Sequence, residues 1–417
     1  MQYIESGADL QQHLNRLTNE VKIIDIHTHI YDTPFNELLL WGIDELINYH
    51  YLIAELFRKS PHLSPETFWA MSKSTQAEMI WETLFLNHSP LSEACRGVIT
   101  VLSQLGLQDL RTKSLDDIRA FFAQKNVADY INEVFRLANI KTVVMTNDPF
   151  DEKERRVWLQ SPKIDARFQT SLRIDPLLMQ WESVACPQLQ AWNYQVAADF
   201  SGNTINEIRR FLSEWLTRLN ALYLAVSLPP DFTFPEASPR GKIIQECILP
   251  VCQKHHVPWA LMIGVKKLIN PDLKLAGDGV GKADLTALET LVRRYPQNKF
   301  LVTLLSRENQ HELCVLARKF NNLLPFGCWW FLNNPSIIEE MTRERLELLG
   351  LGFIPQHSDA RVLDQLIYKW HHSKIIIKKI LFEKYADLLS AGWPVTPDEL
   401  ERDLQNLFGG VFTDFIG

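Results

Sequence analysis

Short apolar runs alternate with amphipathic segments through most of the second half of the chain, which is the pattern of repeated strand and helix units. A first strand is predicted at residues 21–26, and seven more follow after a long gap. Amphipathic segments such as NEIRRFLSEWLTRLNAL and LTALETLVRRY lie between the later strands. The seven later strands are predicted at residues 142–145, 168–172, 223–226, 259–262, 300–304, 323–328 and 352–354.

Eight strands joined by right-handed helical crossovers close most simply into an α/β fold of the (β/α)8 TIM barrel type. A doubly wound open sheet is the alternative, but no glycine-rich GxGxxG turn follows the first strand. We therefore expect one barrel domain over residues 1–417.

The stretch between the first and second strands has helical rather than strand-like spacing of its apolar residues. Segments such as SPETFWAMSKSTQAEMIWETLF and SLDDIRAFFAQK open with a serine that is suited to cap a helix. We predict a large helical insertion after strand 1, at residues 35–134, and a leading helix at residues 2–20.

The composition excludes several classes of function. The 417 residues are 46% hydrophobic and 22% charged, as in an ordinary globular protein. A formal charge of −7 argues against a nucleic-acid partner. The chain contains no apolar run long enough for a membrane helix, and its first residues are polar, so we expect a cytoplasmic protein without a membrane partner. The six cysteines lack zinc-finger spacing and are predicted to be reduced core thiols.

His27 and His29 follow directly on the apolar run of IIDIHTH, which only Asp25 interrupts. Two residues apart on an extended backbone, both imidazoles face the same side and could bind one metal ion. In a parallel barrel, the carboxyl ends of the strands carry the chemistry. The alternative is that a chance histidine pair simply ends a strand.

The last predicted strand is followed by QHSDAR, which contains Asp359 and Arg361. When the barrel closes, Asp359 would lie beside the first strand, where it could be a third metal ligand and a proton acceptor. Two histidines and one carboxylate leave coordination positions open, as in catalytic sites. For Asp359 alone, a role as the cap of the following helix is an equally good interpretation.

Arg173, Arg307 and Arg361 each follow a predicted strand. Guanidinium groups match a carboxylate and keep their charge when partly buried, so the three favour a substrate that bears a carboxylate. For any one of them, a surface ion pair is as good an explanation.

His50 and Tyr51 lie in the helical insertion, where an imidazole and a phenol could cover the barrel mouth and relay a proton. The spacing alone favours the simpler interpretation that a helix packs its aromatic face into the core.

Seven motifs occur in one order over roughly residues 20 to 415, and together they closely resemble the uronate isomerase (glucuronate isomerase) family, a divergent branch of the amidohydrolase superfamily. The motifs are IIDIHTH, NYHYLIAE, MTNDPFD, LRIDPLL, LSRENQHE, FGCWWFLNNP and QHSDAR.

The resemblance implies one divalent metal, commonly zinc, held by His27, His29 and Asp359. It implies the interconversion of D-glucuronate with D-fructuronate and of D-galacturonate with D-tagaturonate, in which a proton moves from C2 to C1 through a cis-enediol. Asp359 would take the proton of the C5 hydroxyl, while Tyr51 and Arg361 would serve the oxygens at C1 and C2. By the same similarity, His50, Arg173 and Arg307 would line the substrate pocket.

One departure from the hydrolytic relatives in that superfamily favours isomerisation. Those enzymes usually add a lysine after strand four, or histidines after strands five and six, to bind a second metal or to activate water. Here Ser227 and Ser306 stand after strands four and six, and His255 and His256 precede strand five. A site with fewer ligands and more arginines is poorly suited to making hydroxide.

Two other functions stay open at this point: a metal-dependent hydrolase of a sugar-acid lactone or amide, and a sensor that binds a sugar acid without turning it over. The expected partner is a small hexuronate. The sequence does not determine which metal binds or whether glucuronate or galacturonate is preferred. It also does not determine whether the chain forms a homo-oligomer.

Overall fold

A curved sheet of seven parallel strands forms the centre of the computed structural model, which describes residues 3–417. The strand order is β1-β2-β3-β4-β5-β8-β9, so every strand pairs with its neighbours along the barrel. β6 and β7 form a separate antiparallel hairpin after β5. The strands are β1 Ile23–Thr28, β2 Ile140–Asn147, β3 Phe168–Arg173, β4 Leu224–Leu228, β5 Trp259–Ile263, β6 Val265–Lys266, β7 Gly279–Val280, β8 Phe300–Leu304 and β9 Leu323–Pro325.

The eighth barrel position is filled by an irregular segment, where the sequence predicts a strand at residues 352–354. Only Ile354 makes a parallel bridge, to Phe326, because Pro355 follows it and has no backbone N–H to donate. The segment then reaches β1, where the N–H of Asp359 donates to the carbonyl oxygen of His27 at 3.2 Å. The sheet thus curls into the predicted barrel, with its last position held by a few hydrogen bonds.

Helix α1, Gly7–Glu20, precedes the barrel. It begins later than the predicted residue 2, which lies outside the described residues, because the Ser6 side chain accepts the N–H of Asp9 and caps the helix there.

Within the described residues, only helices lie between β1 and β2, and they run from Thr33 to Ala138, close to the predicted limits of 35 and 134. Ser64 and Ser114 cap two of them, as the sequence predicts. The helices are α2 Ile43–Ile47, α3 His50–Lys59, α4 Pro65–Ala70, α5 Lys73–Trp81, α6 Glu93–Gln104, α7 Leu115–Ala123 and α8 Val127–Ala138, with a 3-10 turn at Thr33–Leu38 and a π turn at Glu82–Leu86.

The remaining helices follow the later strands or close the chain. They are α9 Glu152–Leu159, α10 Asp175–Met179, α11 Cys186–Ala191, α12 Thr204–Leu219, α13 Pro239–Ile243, α14 Leu249–His255, α15 Thr286–Arg294, α16 Gln310–Ala317, α17 Pro335–Leu349, α18 Gln365–Ser390, α19 Pro397–Gln405 and α20 Val411–Ile416. Shorter 3-10 turns lie at Pro271–Gly277, Arg307–Asn309 and Trp330–Leu332, and π turns at Trp181–Ala185, Ile244–Ile248 and Asn406–Gly410.

Two layers of buried side chains support the sheet. Inside the barrel, Ile26, Val144, Ala260 and Leu301 pack together, and Phe412 from α20 joins them. Outside, the other faces of the strands pack against the surrounding helices, including those of the insertion. All six cysteines are buried and free, as predicted. Among residues 3–417, no helix has the length and apolar character needed to cross a membrane.

Candidate active site

Three potential metal ligands converge where β1 meets the eighth barrel segment. Asp359 Oδ1 lies 3.7 Å from His27 Nε2 and 3.3 Å from His29 Nε2. One donor atom from each of the three residues lies within 4.8 Å of the others. The extended backbone of β1 turns the two imidazoles to one side, and barrel closure brings the carboxylate from the other end of the chain. This cluster can hold a single ion.

The ionisation of the cluster suits metal binding. Burial, followed by the influence of His29, lowers the pKa of His27 to about 3. Burial, followed by the charge of Arg361, lowers the pKa of His29 to about 4. Burial alone would raise the pKa of Asp359, but His29, His27 and Lys369 together hold it below its usual value. At neutral pH the site therefore offers two neutral imidazoles and a carboxylate, which are the forms that bind metals.

The hydrogen-bonding atoms around the cluster also fit a metal. Asp359 Oδ1 is buried and accepts no hydrogen bond within residues 3–417. His27 Nδ1 lies 3.3 Å from Thr146 Oγ1 and 3.4 Å from Tyr223 Oη, and the Tyr223 hydroxyl itself donates to the Ile26 carbonyl. Tyr223 can thus accept the Nδ1 proton of His27, which leaves the lone pair of Nε2 for an ion.

A cavity opens onto the cluster. Arg173 lines it, and its Nε donates to Asp175 Oδ2 at 3.0 Å. Asp175 is fixed in turn by the Ser227 N–H at 2.9 Å. Burial opposes the charge of Arg173, yet Asp175 keeps its pKa above the usual value. This wall of the cavity therefore presents a guanidinium held in one orientation.

Arg361 and Lys267 add positive charge to the same cavity, beside the indole rings of Trp329 and Trp330. Lys267 lies mostly outside, because its Nζ pairs with Asp278 Oδ2 at 2.8 Å and its side chain is 63% exposed. The cavity thus combines a metal-binding end, cationic walls and aromatic cover, which suits a small polar anion.

His50 and Tyr51 begin helix α3. Neither lines the cavity, but the His50 ring lies 5.6 Å from the ring of Trp330, which does. The ring nitrogens of His50 and the hydroxyl of Tyr51 are buried and have no hydrogen-bond partner within the described chain. Burial and then Arg361 lower the pKa of His50, and burial and then Tyr49 raise that of Tyr51, so both side chains are neutral near neutral pH.

The structure does not bring Arg307 to the other predicted residues. Its side chain is 55% exposed, and its Nε donates to Glu340 Oε2 at 2.9 Å. Among the described residues, Arg307 does not line the cavity. It is the first residue of the 3-10 turn after β8 and follows the buried Ser306. His255 and His256 lie at the amino end of β5, as the sequence predicts, and do not reach the site.

Some residues at the site directly follow predicted strands, but the sequence alone does not predict a function for them. Trp330 and Lys267 belong to this group, and their position directly after strands is the signal that could identify them. Asp25 and Lys369 also lie near the site and were not predicted to belong to it. Each is a charged residue in an apolar run, and each is buried close to the metal cluster.

Comparison with known proteins adds an independent finding. The chain is 54% identical to a uronate isomerase from Bacillus halodurans C-125, over 99% of this chain and 97% of that one, with a TM-score of 0.97. A glucuronate isomerase from Caulobacter crescentus is similar in fold, with 15% identity, a TM-score of 0.78 and coverage of 98% of this chain and 94% of that one. A uronate isomerase from Thermotoga maritima has 13% identity, a TM-score of 0.75 and 97% coverage of both chains. No protein-family model and no curated protein sequence matches the chain.

Proposed function

This chain belongs to the uronate isomerase family, and from that premise we propose that it interconverts D-glucuronate with D-fructuronate and D-galacturonate with D-tagaturonate. The observation that carries the proposal is the convergence of His27, His29 and Asp359 with Arg173 and Arg361 on one cavity. Such a cavity can hold a polyhydroxy acid by its carboxylate and its hydroxyls at the same time.

We assign a single divalent ion, zinc by preference, to His27, His29 and Asp359. When bound, the ion would supply positive charge that acidifies a substrate hydroxyl and stabilises developing negative charge. Two nitrogens and one carboxylate oxygen also suit manganese, iron or cobalt, so the metal needs a direct measurement. Elemental analysis of protein purified without added metal should find about one zinc per chain, and a predominance of another metal would overturn the choice of zinc.

The side chains at the site have different roles in the reaction. Asp359 is ionised near neutral pH, so its free Oδ1 can take a hydroxyl proton from the substrate and take part in moving the proton from C2 to C1. Arg361 lies on the same cavity and would stabilise the negative charge that develops on the C1 and C2 oxygens in the cis-enediol. Arg173, oriented by Asp175, would bind the substrate carboxylate.

His50 and Tyr51 would complete the site from the helical insertion. Tyr51 keeps its proton because burial raises its pKa, so it can donate a hydrogen bond to a substrate oxygen. Its unpartnered hydroxyl and the unpartnered nitrogens of His50 are available for such contacts. Neither residue lines the cavity, and the His50 ring lies 5.6 Å from that of Trp330, which does, so this assignment requires a small movement of the aromatic cover.

Arg307 retains its proposed substrate-binding role only if its guanidinium leaves Glu340 and turns towards the cavity. An exposed ion pair of this kind contributes little stability, so a bound carboxylate could compete with Glu340 for the arginine. A cytoplasmic location also remains part of the proposal and rests on the sequence.

Product analysis tests the function. Purified protein is incubated with D-glucuronate, and separately with D-galacturonate, and the products are followed by NMR and mass spectrometry. Ketoses of unchanged molecular formula are expected. Failure of both substrates to form a ketose would overturn the proposal, whereas addition of water to a sugar-acid lactone or amide would indicate the hydrolase alternative.

A further inference from the structure

Two opposite charges are buried behind the metal cluster, and neither takes part in the proposed proton transfer. Asp25 lies in β1 and is fully buried, while Lys369 lies in helix α18 and is 3% exposed. Lysine and aspartate are almost never this buried unless strong contacts compensate them. The contacts that these two residues make therefore indicate what they are for.

Both side chains bind the backbone of Ser358, the residue that precedes Asp359. The N–H of Ser358 donates to Asp25 Oδ1 at 3.0 Å, and its carbonyl oxygen accepts from Lys369 Nζ at 2.6 Å. The second carboxylate oxygen of Asp25 accepts from Trp370 Nε1 at 2.8 Å, which fixes its orientation. Ser358 is thus held from opposite sides by an anion and a cation.

Asp359 needs such support because its backbone is in the left-handed region, with a φ of 50°. Residues other than glycine adopt this conformation rarely, although aspartate does so more readily than most. Strained backbone of this kind persists where the surroundings fix it, and it is common at functional sites. Here the strain turns the Asp359 carboxylate towards His27 and His29.

We propose that Asp25 and Lys369 are positioning residues that clamp Ser358 and thereby hold Asp359 in the geometry needed to bind the metal. The inference rests on the metal site of the proposed function and assigns to it two residues that do not touch substrate. Charge-assisted hydrogen bonds are about twice as strong as neutral ones, which explains why charged rather than neutral side chains bind this peptide.

The charges of the pair support this arrangement. The Asp25 carboxylate accepts two hydrogen bonds, from the Ser358 N–H and from Trp370 Nε1, which suits an anion, and the Lys369 ammonium donates to the Ser358 carbonyl oxygen, which suits a cation. The two charges compensate each other across the Ser358 backbone.

A purely structural role is the alternative, and Asp364 offers a matched control. Asp364 is also a fully buried carboxylate, but it accepts from the Gly42 N–H at 2.9 Å and from the Tyr130 hydroxyl. It connects the insertion to the start of α18 and does not contact Ser358. Asp364→Asn should lower the stability of the fold without altering the metal site.

The experiment measures metal affinity and metal geometry in the full-length protein. Asp25→Asn, Lys369→Met and Asp364→Asn are prepared metal-free, and zinc affinity is measured by competition with a chelator. Cobalt is then added, and its visible absorption spectrum reports the ligand set. Trp370→Phe, which removes the bond that orients Asp25 together with part of a buried ring, provides a milder variant, and Lys369→Gln keeps a donor for the Ser358 carbonyl without the charge.

Asp25→Asn and Lys369→Met should weaken zinc binding by about 10- to 100-fold and change the cobalt spectrum, as mutation of residues that orient metal ligands typically does. Trp370→Phe and Lys369→Gln should lie between these variants and the parent, and Asp364→Asn should match the parent in both measurements. Folded Asp25→Asn and Lys369→Met proteins with the affinity and cobalt spectrum of the parent would overturn the clamp while leaving the isomerase assignment intact. A parent protein that binds no divalent ion would overturn both the metal site and the clamp.

Discussion

The residues of the proposed site come from two kinds of location, and the two differ in how firmly the fold holds them. The strand-end group, His27, His29, Arg173, Asp359 and Arg361, lines one cavity at the carboxyl edge of the barrel. The peripheral group, His50, Tyr51 and Arg307, lies on the insertion or in a surface turn, outside that cavity. Parallel strands place the first group through the sheet itself, whereas the second group depends on packing between helices and on side-chain rotation.

This difference predicts that the strand-end group sets the rate and the peripheral group adjusts it. Substitutions in the first group should therefore reduce turnover more than substitutions in the second.

Asp359→Asn should have the largest effect. The amide cannot accept the substrate proton and is a weaker metal ligand, so kcat should fall by about 10²- to 10⁴-fold, the usual contribution of a general base. Steady-state kinetics on D-glucuronate with added zinc measures this loss, and thermal unfolding checks that the protein is folded. Activity close to that of the parent would show that another group is the base.

Arg361→Met should lower kcat/KM by about 10²- to 10³-fold, because it removes a positive charge from the oxygens that become negative during the reaction. The matched variant Arg307→Met should change kcat/KM by about threefold or less, since Arg307 is exposed and paired with Glu340. Measurement of both variants under one set of conditions compares the two groups directly. An equal loss in the two variants would contradict the expected difference between the strand-end group and the peripheral group.

Glu340→Gln sharpens the same comparison. If Arg307 turns into the cavity when substrate binds, release of the arginine from Glu340 should lower KM while kcat stays unchanged. An unchanged KM in Glu340→Gln would remove Arg307 from the substrate site.

Tyr51→Phe should reduce kcat by about 10- to 100-fold, less than a general base would contribute, because the phenol does not line the cavity and only assists proton transfer. His50→Asn should have an effect of similar size. A loss in either variant as large as that of Asp359→Asn would place the insertion at the centre of catalysis.

A separate prediction concerns the pH dependence of stability, through a carboxyl group beside the carboxyl end of β2. Glu154 is fully buried, and burial raises its pKa from 4.5 to about 7, with hydrogen bonds from Asn147 and the Asp148 N–H acting against the shift. A carboxyl group whose pKa is raised by folding contributes stability that is present below about pH 4.5 and lost as the pH rises through about 7.

Glu154→Gln removes that titration. The unfolding free energy of the parent should therefore decrease relative to that of the variant by up to about 3 kcal/mol between pH 4.5 and pH 7.5. Urea unfolding at a series of pH values measures the difference. A difference that does not change with pH would contradict the raised pKa of Glu154.

The same contrast explains which parts of the structure were predictable. The apolar runs located all seven paired barrel strands to within a few residues, because a strand buried on both faces has a continuous apolar sequence. The polar residues after those runs then identified the strand-end group. The eighth strand was the exception, since Pro355 and the left-handed backbone of Asp359 prevent regular pairing.

Residues outside the strand ends were harder to place. The spacing of His50 and Tyr51 is that of any packed helix, so the contact of His50 with Trp330 depends on how the insertion docks. For Arg307, sequence order correctly indicates a position after a strand, but the preference for Glu340 is a contact across more than thirty residues. Asp25 and Lys369 stand out only once the structure shows that both are buried against one peptide.

The most direct test of the account follows the transferred proton. D-glucuronate that carries deuterium at C2 is incubated with the zinc-loaded protein, and the early product is examined by NMR. We expect D-fructuronate with part of the deuterium at C1, and no such product from Asp359→Asn on the same timescale. A parent protein that forms no ketose, or an Asp359→Asn variant that transfers deuterium as fast as the parent, would contradict it.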